Sequence, residues 1–186
     1  MRIAAGDLRG RIIEAPAGLD VRPTSDRARQ AVFNILEHAA WSQGVSGRRA
    51  IDLFAGSGAL GLEALSHGAA SCLFVDLAEP ALTAIRANVA AFGLEARARL
   101  LRQDAARLGR RPAGDEPYDL AFLDPPYAKG LGEPALKALR DGGWLAEDAI
   151  AVLERGSGEA AVEIPGFERL DERRYGKAEV LFLRPV

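Results

Sequence analysis

Asp52-Leu53-Phe54-Ala55-Gly56-Ser57-Gly58-Ala59-Leu60-Gly61 is the stretch on which the fold turns. It completes a short apolar run, Ala50-Ile51-Asp52-Leu53, of the length of a buried strand, and it opens a segment with helical patterning over 59–66. Gly56, Gly58 and Gly61 satisfy the strand, G-x-G-x-x-G, helix pattern, in which glycine lets backbone approach a nucleotide closely. Outward from this loop the chain keeps alternating. Further strands are predicted at 72–75, 98–101, 119–123 and 149–153, with helices over 79–92, near 105–108 and over 131–140. The last two strands, 167–175 and 178–183, are joined by Tyr175-Gly176-Lys177 and read as an antiparallel pair. Such alternation implies an α/β, Rossmann-like, doubly wound sheet. Its seven strands would be mostly parallel, with an antiparallel edge strand.

Asp76 ends the second predicted strand at about the spacing expected of a ribose-binding acid, so a nucleotide cofactor is expected. Asp52, immediately before the loop, would repel a pyrophosphate. It suits S-adenosylmethionine instead, which carries a sulfonium and an ammonium and no phosphate. Asp52 would accept the ammonium, Asp76 the ribose hydroxyls, and Asp104, after the third strand, would lie near the adenine edge. Asp104 also reads as the N-cap of a helix beginning at Ala105. Each carboxylate alone is weak evidence. Acids at three successive strand ends with a glycine loop are much stronger.

The fourth strand ends in Asp124-Pro125-Pro126-Tyr127. Two prolines offer no N–H to a ladder, so this is a rigid turn carrying a carboxylate, unpaired main-chain carbonyls and an aromatic ring. Ligands of open α/β sheets bind where strand order reverses, here between the first and fourth strands. A methyl donor and an amine acceptor would meet there. Asp124 and the Pro125 carbonyl would take the two hydrogens of an exocyclic amine, and Tyr127 would stack on an unstacked or flipped base. The plainer reading is a stiff strand-to-helix turn with a surface Asp and a packing Tyr.

Residues 1–20 read as a small β-hairpin extension of a domain spanning 21–186. Arg9 and Arg11 fall on one face of its second strand. That face would grip a phosphate backbone, or is a solvated edge kept soluble by Arg. Arg22-Pro23-Thr24-Ser25-Asp26 reads as a helix entrance, capped by Thr24 or Ser25, with Arg22, Arg27 and Arg29 clustered at its start. Cations there oppose the helix dipole, and a bound phosphate would resolve the conflict; solvated charges are the alternative.

Composition narrows the field further. A net charge of −2 excludes a wholesale polyanion binder and confines any nucleic-acid contact to a local patch. The single Cys excludes an internal disulfide or a Cys-cluster metal site, and His38 and His67 stand isolated, so no metal is expected. Cys72, mid-strand, reads as a small buried hydrophobe, and Trp41 and Trp144 as packing residues. Neither a signal peptide nor a run of about 18 apolar residues is present, which points to the cytoplasm and to no membrane partner.

With these residues in place, the chain resembles class I S-adenosylmethionine-dependent methyltransferases, and more narrowly the RsmD family of 16S rRNA (guanine-966-N2)-methyltransferases. The resemblance is carried by Leu8-Arg9-Gly10-Arg11, Arg22-Pro23-Thr24-Ser25-Asp26-Arg27, the glycine loop through Leu65, Asp124-Pro125-Pro126-Tyr127, and Gly142 with Trp144-Leu145. It implies methylation of a guanine 2-amino group in 16S rRNA, in an assembled or assembling small ribosomal subunit, by a monomer. It further implies that Asp124, Pro125, Pro126 and Tyr127 are catalytic. The cofactor set would be Asp52, Phe54, Ala55, Gly56, Ser57, Gly58, Asp76, Leu77, Asp104 and Ala105, with Leu77 walling the adenine. Arg9, Arg11, Arg22, Thr24 and Arg27 would hold the RNA. Asp76-Leu77-Ala78 departs from the family pattern, where a second acid or a more polar run is expected after the ribose acid. Asp-Pro-Pro-Tyr is shared with DNA adenine-N6 methyltransferases, the alternative reading, although the chain has no length to spare for a target-recognition domain. A NAD-binding oxidoreductase is disfavoured by Asp52, and a non-catalytic RNA-binding protein by the intact Asp124 and glycines.

Overall fold

The computed structural model describes residues 1–18, 26–127, 129–159 and 163–186. Seven strands form one sheet: β1 (Arg49–Leu53), β2 (Ser71–Asp76), β3 (Ala98–Arg102), β4 (Tyr118–Leu123), β5 (Leu145–Gly156), β6 (Phe167–Tyr175) and β7 (Ala178–Pro185). Their order is β3-β2-β1-β4-β5-β7-β6. The β1 to β5 pairings are parallel, β7 runs antiparallel to β5, and β6 antiparallel to β7. The helices are α1 (Asp26–His38), α2 (Ala59–Ser66), α3 (Glu79–Phe92) and α4 (Gly132–Asp141), with a 3-10 turn at Ala105–Arg107. None of the described helices is long and apolar enough to cross a membrane.

Because successive side chains of a strand point to opposite faces, each central strand feeds two cores. Leu120, Phe122, Ile150 and Val152 pack with Val32, Phe33 and Leu36 of α1, Leu62 of α2 and Ile85 of α3. Ala121, Leu123, Ala151 and Leu153 pack on the other side with Ala135, Leu136 and Leu139 of α4. This double burial is why the central strands read as continuous apolar runs rather than alternating ones. Cys72 and Trp144 sit inside these cores, and Trp41 packs against Phe182 with ring centroids 5.4 Å apart. Strand β5 is much longer than predicted. Its outer half pairs with β7 from Ala151↔Leu183 to Gly156↔Ala178, a partner about thirty residues away that no local pattern announces.

The N-terminal segment folds back on itself antiparallel, with sparser pairing than a regular two-stranded hairpin. Its only described ladder contact is an isolated bridge between Arg2 and Ile12, supported by Ile3 N–H to the Arg11 carbonyl and Gly10 N–H to the Ile3 carbonyl. Residues 7–10 form turns, so Arg9 lies in a turn and does not share a strand face with Arg11. The Arg11 guanidinium lies over the Phe92 ring, 4.9 Å from its centroid, and donates to the Ala91 carbonyl at the end of α3. The predicted helix entrance at Arg22, Pro23, Thr24 and Ser25 lies outside the described residues.

Arg29 is the largest correction. Expected among a cluster of solvated or phosphate-binding cations, it is fully buried. Its Nε donates to Glu63 Oε2 at 3.0 Å, and its guanidinium also reaches Asp26 Oδ1 and the Arg2 carbonyl. Glu63, in the middle of α2, is equally buried and accepts the backbone N–H groups of Ala4 and Ala5. His67 Nε2 lies 3.7 Å from it, an ion-pair rather than hydrogen-bond distance. Burial alone would raise the Glu63 carboxyl, but His67, the Ala4 amide, Arg29 and the Ala5 amide together hold it below its ordinary range. Glu63 therefore contributes stability above the ordinary carboxylate range that is lost as pH falls through its lowered folded value. Glu63→Leu would leave the buried Arg29 with only the exposed Asp26 as counter-charge, and two amides without an acceptor. It should cost about 3–5 kcal/mol in urea unfolding, with amide exchange at Ala4 and Ala5 rising sharply.

Candidate active site

The carboxyl ends of β1, β2 and β4 open into a cleft of about 860 Å³. The sheet order reverses between β1 and β4, so this is the switch point where open α/β sheets bind ligands. Most of the cleft is built by the chain immediately after each strand.

After β1 the backbone has to turn sharply into α2. Phe54 takes φ +57°, a left-handed conformation that costs a side chain of this size about 1–2 kcal/mol, and Gly58 follows at φ +77°. Gly61 is required for a different reason. A Cβ there would come within 2.3 Å of the Phe74 ring and 2.7 Å of Cys72 Sγ, so its absence lets α2 lie directly on β2. The loop is held by carboxylates. Asp52 Oδ2 accepts the Gly61 N–H at 2.9 Å, and Asp76 Oδ2 accepts the Gly56 N–H at 2.8 Å while its Oδ1 accepts that of Ala78. Asp104 caps the 3-10 turn through the Ala106 N–H at 2.9 Å, and it too lines the cleft.

Asp52 was expected to be open to an ammonium, but it is only 1% exposed, at the floor of the cleft. Burial pushes its carboxyl well above the ordinary range; the Gly61 amide pulls the other way, and the negative Asp124 and Asp76 raise it further. Among the described ion pairs, none joins Asp52 or Asp76 to a cation. Three carboxylates therefore converge on one floor. The arrangement favours a cationic ligand and repels a pyrophosphate, which matches the nucleoside sulfonium expected from the sequence.

The structure brings Asp124, Pro125, Pro126 and Tyr127 to the same cleft as Phe54, Ala55, Gly56, Ser57, Leu77 and Ala105. Leu77 is 62% exposed, an apolar side chain on the rim beyond Asp76. Gly58 is buried beneath the loop and packs towards Ile85 and Phe74. Arg9, Arg11 and Arg27 do not line the cleft; they are exposed residues of the N-terminal segment and the start of α1. Arg22 and Thr24 lie outside the described residues.

Several lining residues were missed by the sequence reading, among them Met1, Lys129 and Glu154. Met1 lines the cleft, because Glu63 ties the N-terminal segment to α2 beside the glycine loop. Glu154, near the end of β5, is only 8% exposed, lines the cleft and accepts the Tyr127 hydroxyl at 2.8 Å. Its signal was present in the sequence: like Asp52, Asp76 and Asp124, it is an acid at the carboxyl end of an apolar run.

Comparison with known proteins agrees with this geometry. The family model described as Conserved hypothetical protein 95 matches residues 1–184. A protein of Escherichia coli strain K12 named ribosomal RNA small subunit methyltransferase D is 34% identical over 154 residues, covering 83% of this chain and 74% of that one. The protein of that name from Haemophilus influenzae is 29% identical over 178 residues, covering 95% and 89%. An E. coli structure bearing the name of a methyltransferase, yhhF, superposes with a TM-score of 0.84 at 31% identity, covering 100% of this chain and 97% of the other.

A carboxyl raised in the fold carries stability that is present below the ordinary carboxylate range and lost as pH rises through its folded value, so ionising Asp52 destabilises the ligand-free protein. Asp52→Asn keeps an oxygen for the Gly61 N–H and removes that charge. Its gain in melting temperature over the wild-type ligand-free protein should grow as pH rises, and it should weaken binding of a cationic nucleoside sulfonium by about tenfold or more, measured by thermal shift and calorimetry.

Proposed function

We propose that this chain, which belongs to the family described as Conserved hypothetical protein 95, the RsmD family, is an S-adenosylmethionine-dependent rRNA methyltransferase whose acceptor is the 2-amino group of a guanine in 16S rRNA. The observation that carries the chemistry is the meeting of two halves in one cleft: the acidic, glycine-lined floor after β1 and β2, and Asp124-Pro125-Pro126-Tyr127 after β4. Bound there, S-adenosylmethionine supplies a methyl group activated by its own sulfonium.

The chain's part is to hold and to position. Asp76 suits the ribose hydroxyls, Leu77 the adenine face, and the paired floor acids Asp52 and Asp124 the positive charge. An exocyclic amine is a poor nucleophile because its lone pair is delocalised into the ring. Asp124 and the Pro125 carbonyl, accepting its two hydrogens, favour the pyramidal form whose lone pair can react. Tyr127, fixed at its hydroxyl by Glu154, offers a ring for a flipped base to stack on. The surplus proton of the methylated amine goes to Asp124 or to solvent. We place the enzyme in the cytoplasm, acting as a monomer on an assembled or assembling small subunit, with the surface around Arg9, Arg11 and Arg27 against the RNA.

Transfer of labelled methyl to small ribosomal subunits, naked rRNA and DNA, followed by nucleoside identification, tests the function directly. N2-methylguanine in small-subunit RNA is the expected product; N6-methyladenine in DNA as the main product would overturn it. Asp124→Ala should lower transfer by a factor of about a hundred or more while cofactor affinity stays within a few-fold. Arg9→Ala with Arg27→Ala should weaken RNA binding and reduce the slope of log affinity against log salt by about two, leaving the kcat of saturated enzyme unchanged.

A further inference from the structure

Resting on the methyl-transfer reading of this cleft, we propose that Glu154 is the residue that selects guanine over other amine-bearing bases. The Asp-Pro-Pro-Tyr turn has no means of doing so. An exocyclic amine with two hydrogens is common to adenine, cytosine and guanine, and Asp124 with a carbonyl serves each of them equally. The bases differ in the ring atom beside the amine. In guanine one flanking ring nitrogen, N1–H, is a donor and the other, N3, is bare; in adenine and cytosine the one flanking nitrogen is bare, an acceptor.

The register of the sheet puts a second carboxylate where that atom falls. Leu123 of β4 pairs with Leu153 of β5 in parallel, and Asp124 and Glu154 are the next residues on each chain. Adjacent strands run about 4.8 Å apart, and residues in register on parallel strands point to the same face. Both side chains line the same cleft. Two acceptors side by side thus face the base, matching the adjacent N2–H and N1–H donors of guanine. Against adenine or cytosine, Glu154 would meet a lone pair, and a buried acceptor facing an acceptor is heavily penalised.

Glu154 is also built to hold its place. It is 8% exposed on a strand paired on both sides, and its Oε1 is tied to the Tyr127 hydroxyl at 2.8 Å. A carboxylate offers about four acceptor sites, so the phenol and an N1–H can be accepted together. The same group then aligns the stacking ring and reads the edge of the base stacked on it.

The test uses small-subunit rRNA in which the target position carries either guanine or 2-aminopurine, introduced by ligation. 2-Aminopurine keeps the 2-amino group, replaces N1–H with a bare nitrogen and lacks O6, a loss that both enzymes meet alike. The wild-type enzyme should prefer guanine, and Glu154→Gln should lower kcat/KM on guanine about tenfold to a hundredfold. Because its amide can donate to a bare N1, the same variant should shrink the preference over 2-aminopurine by at least tenfold. Comparing one ratio between enzymes cancels the intrinsic reactivity of the two amines. Gln keeps an oxygen for the Tyr127 hydroxyl, so melting temperature and S-adenosylmethionine affinity should not change. An unaltered preference in Glu154→Gln overturns the assignment. So does an equal loss of preference in Tyr127→Phe, which would mean that Glu154 acts only through the ring. Failure of the wild-type enzyme to methylate the guanine RNA overturns the function itself and is seen before any ratio is formed.

Discussion

The Glu63 carboxylate is the point from which the molecule is held together. It sits without solvent exposure in the middle of α2, the helix that begins at the glycine loop. To one side it takes the amides of Ala4 and Ala5, and to the other the Arg29 guanidinium from α1. One anion thereby joins three segments that no sheet pairing connects. Burying it is tolerable only because several donors converge on it, and each donor would be costly to leave without an acceptor. The consequence reaches the cleft, since the same bonds bring Met1 into its wall beside the helix that carries the loop. The N-terminal segment, the helix that follows the glycine loop and the first helix are thus tied together through one side chain.

The cleft applies the opposite logic. There, Asp52, Asp76 and Asp124 are brought together without a buried cation to balance Asp52, and Phe54 is held in a left-handed conformation. Both features cost stability in the ligand-free protein. Both are features that binding of a positively charged ligand would offset, because a cation relieves repulsion among acids. Stability is concentrated around Glu63 and is given up on the floor of the cleft. Gly61 connects the two regions: its missing Cβ lets α2 lie on β2, and its N–H is the bond that holds Asp52 in place.

Secondary structure was legible where it was determined locally. Helices α2 and α3 run over the residues that patterning assigned to them, 59–66 and 79–92, because glycine and proline mark their starts and an apolar stripe fills their lengths. The acids at the ends of β1, β2 and β4 were legible for a related reason: a charge closing an apolar run stands out. Arg29 and Glu63 were not. On a helix, a buried charged residue has the same sequence appearance as an exposed one, and its burial depends on a partner 34 residues away. The length of β5 and the turn at Arg9 failed to show for the same kind of reason, since both are set by what the backbone pairs with.

The sequence by itself determined the class of fold, the glycine loop with its acids, and the rigid turn Asp124-Pro125-Pro126-Tyr127. Those depend on periodicity, on glycine and proline geometry, and on charges at the ends of apolar runs, all of which are local. Only the tertiary structure decided that Asp52 is buried rather than open, that Arg29 serves the core, and that Glu154 lines the same cleft as Asp124. Burial and register are properties of neighbouring strands and helices, and chain order does not carry them.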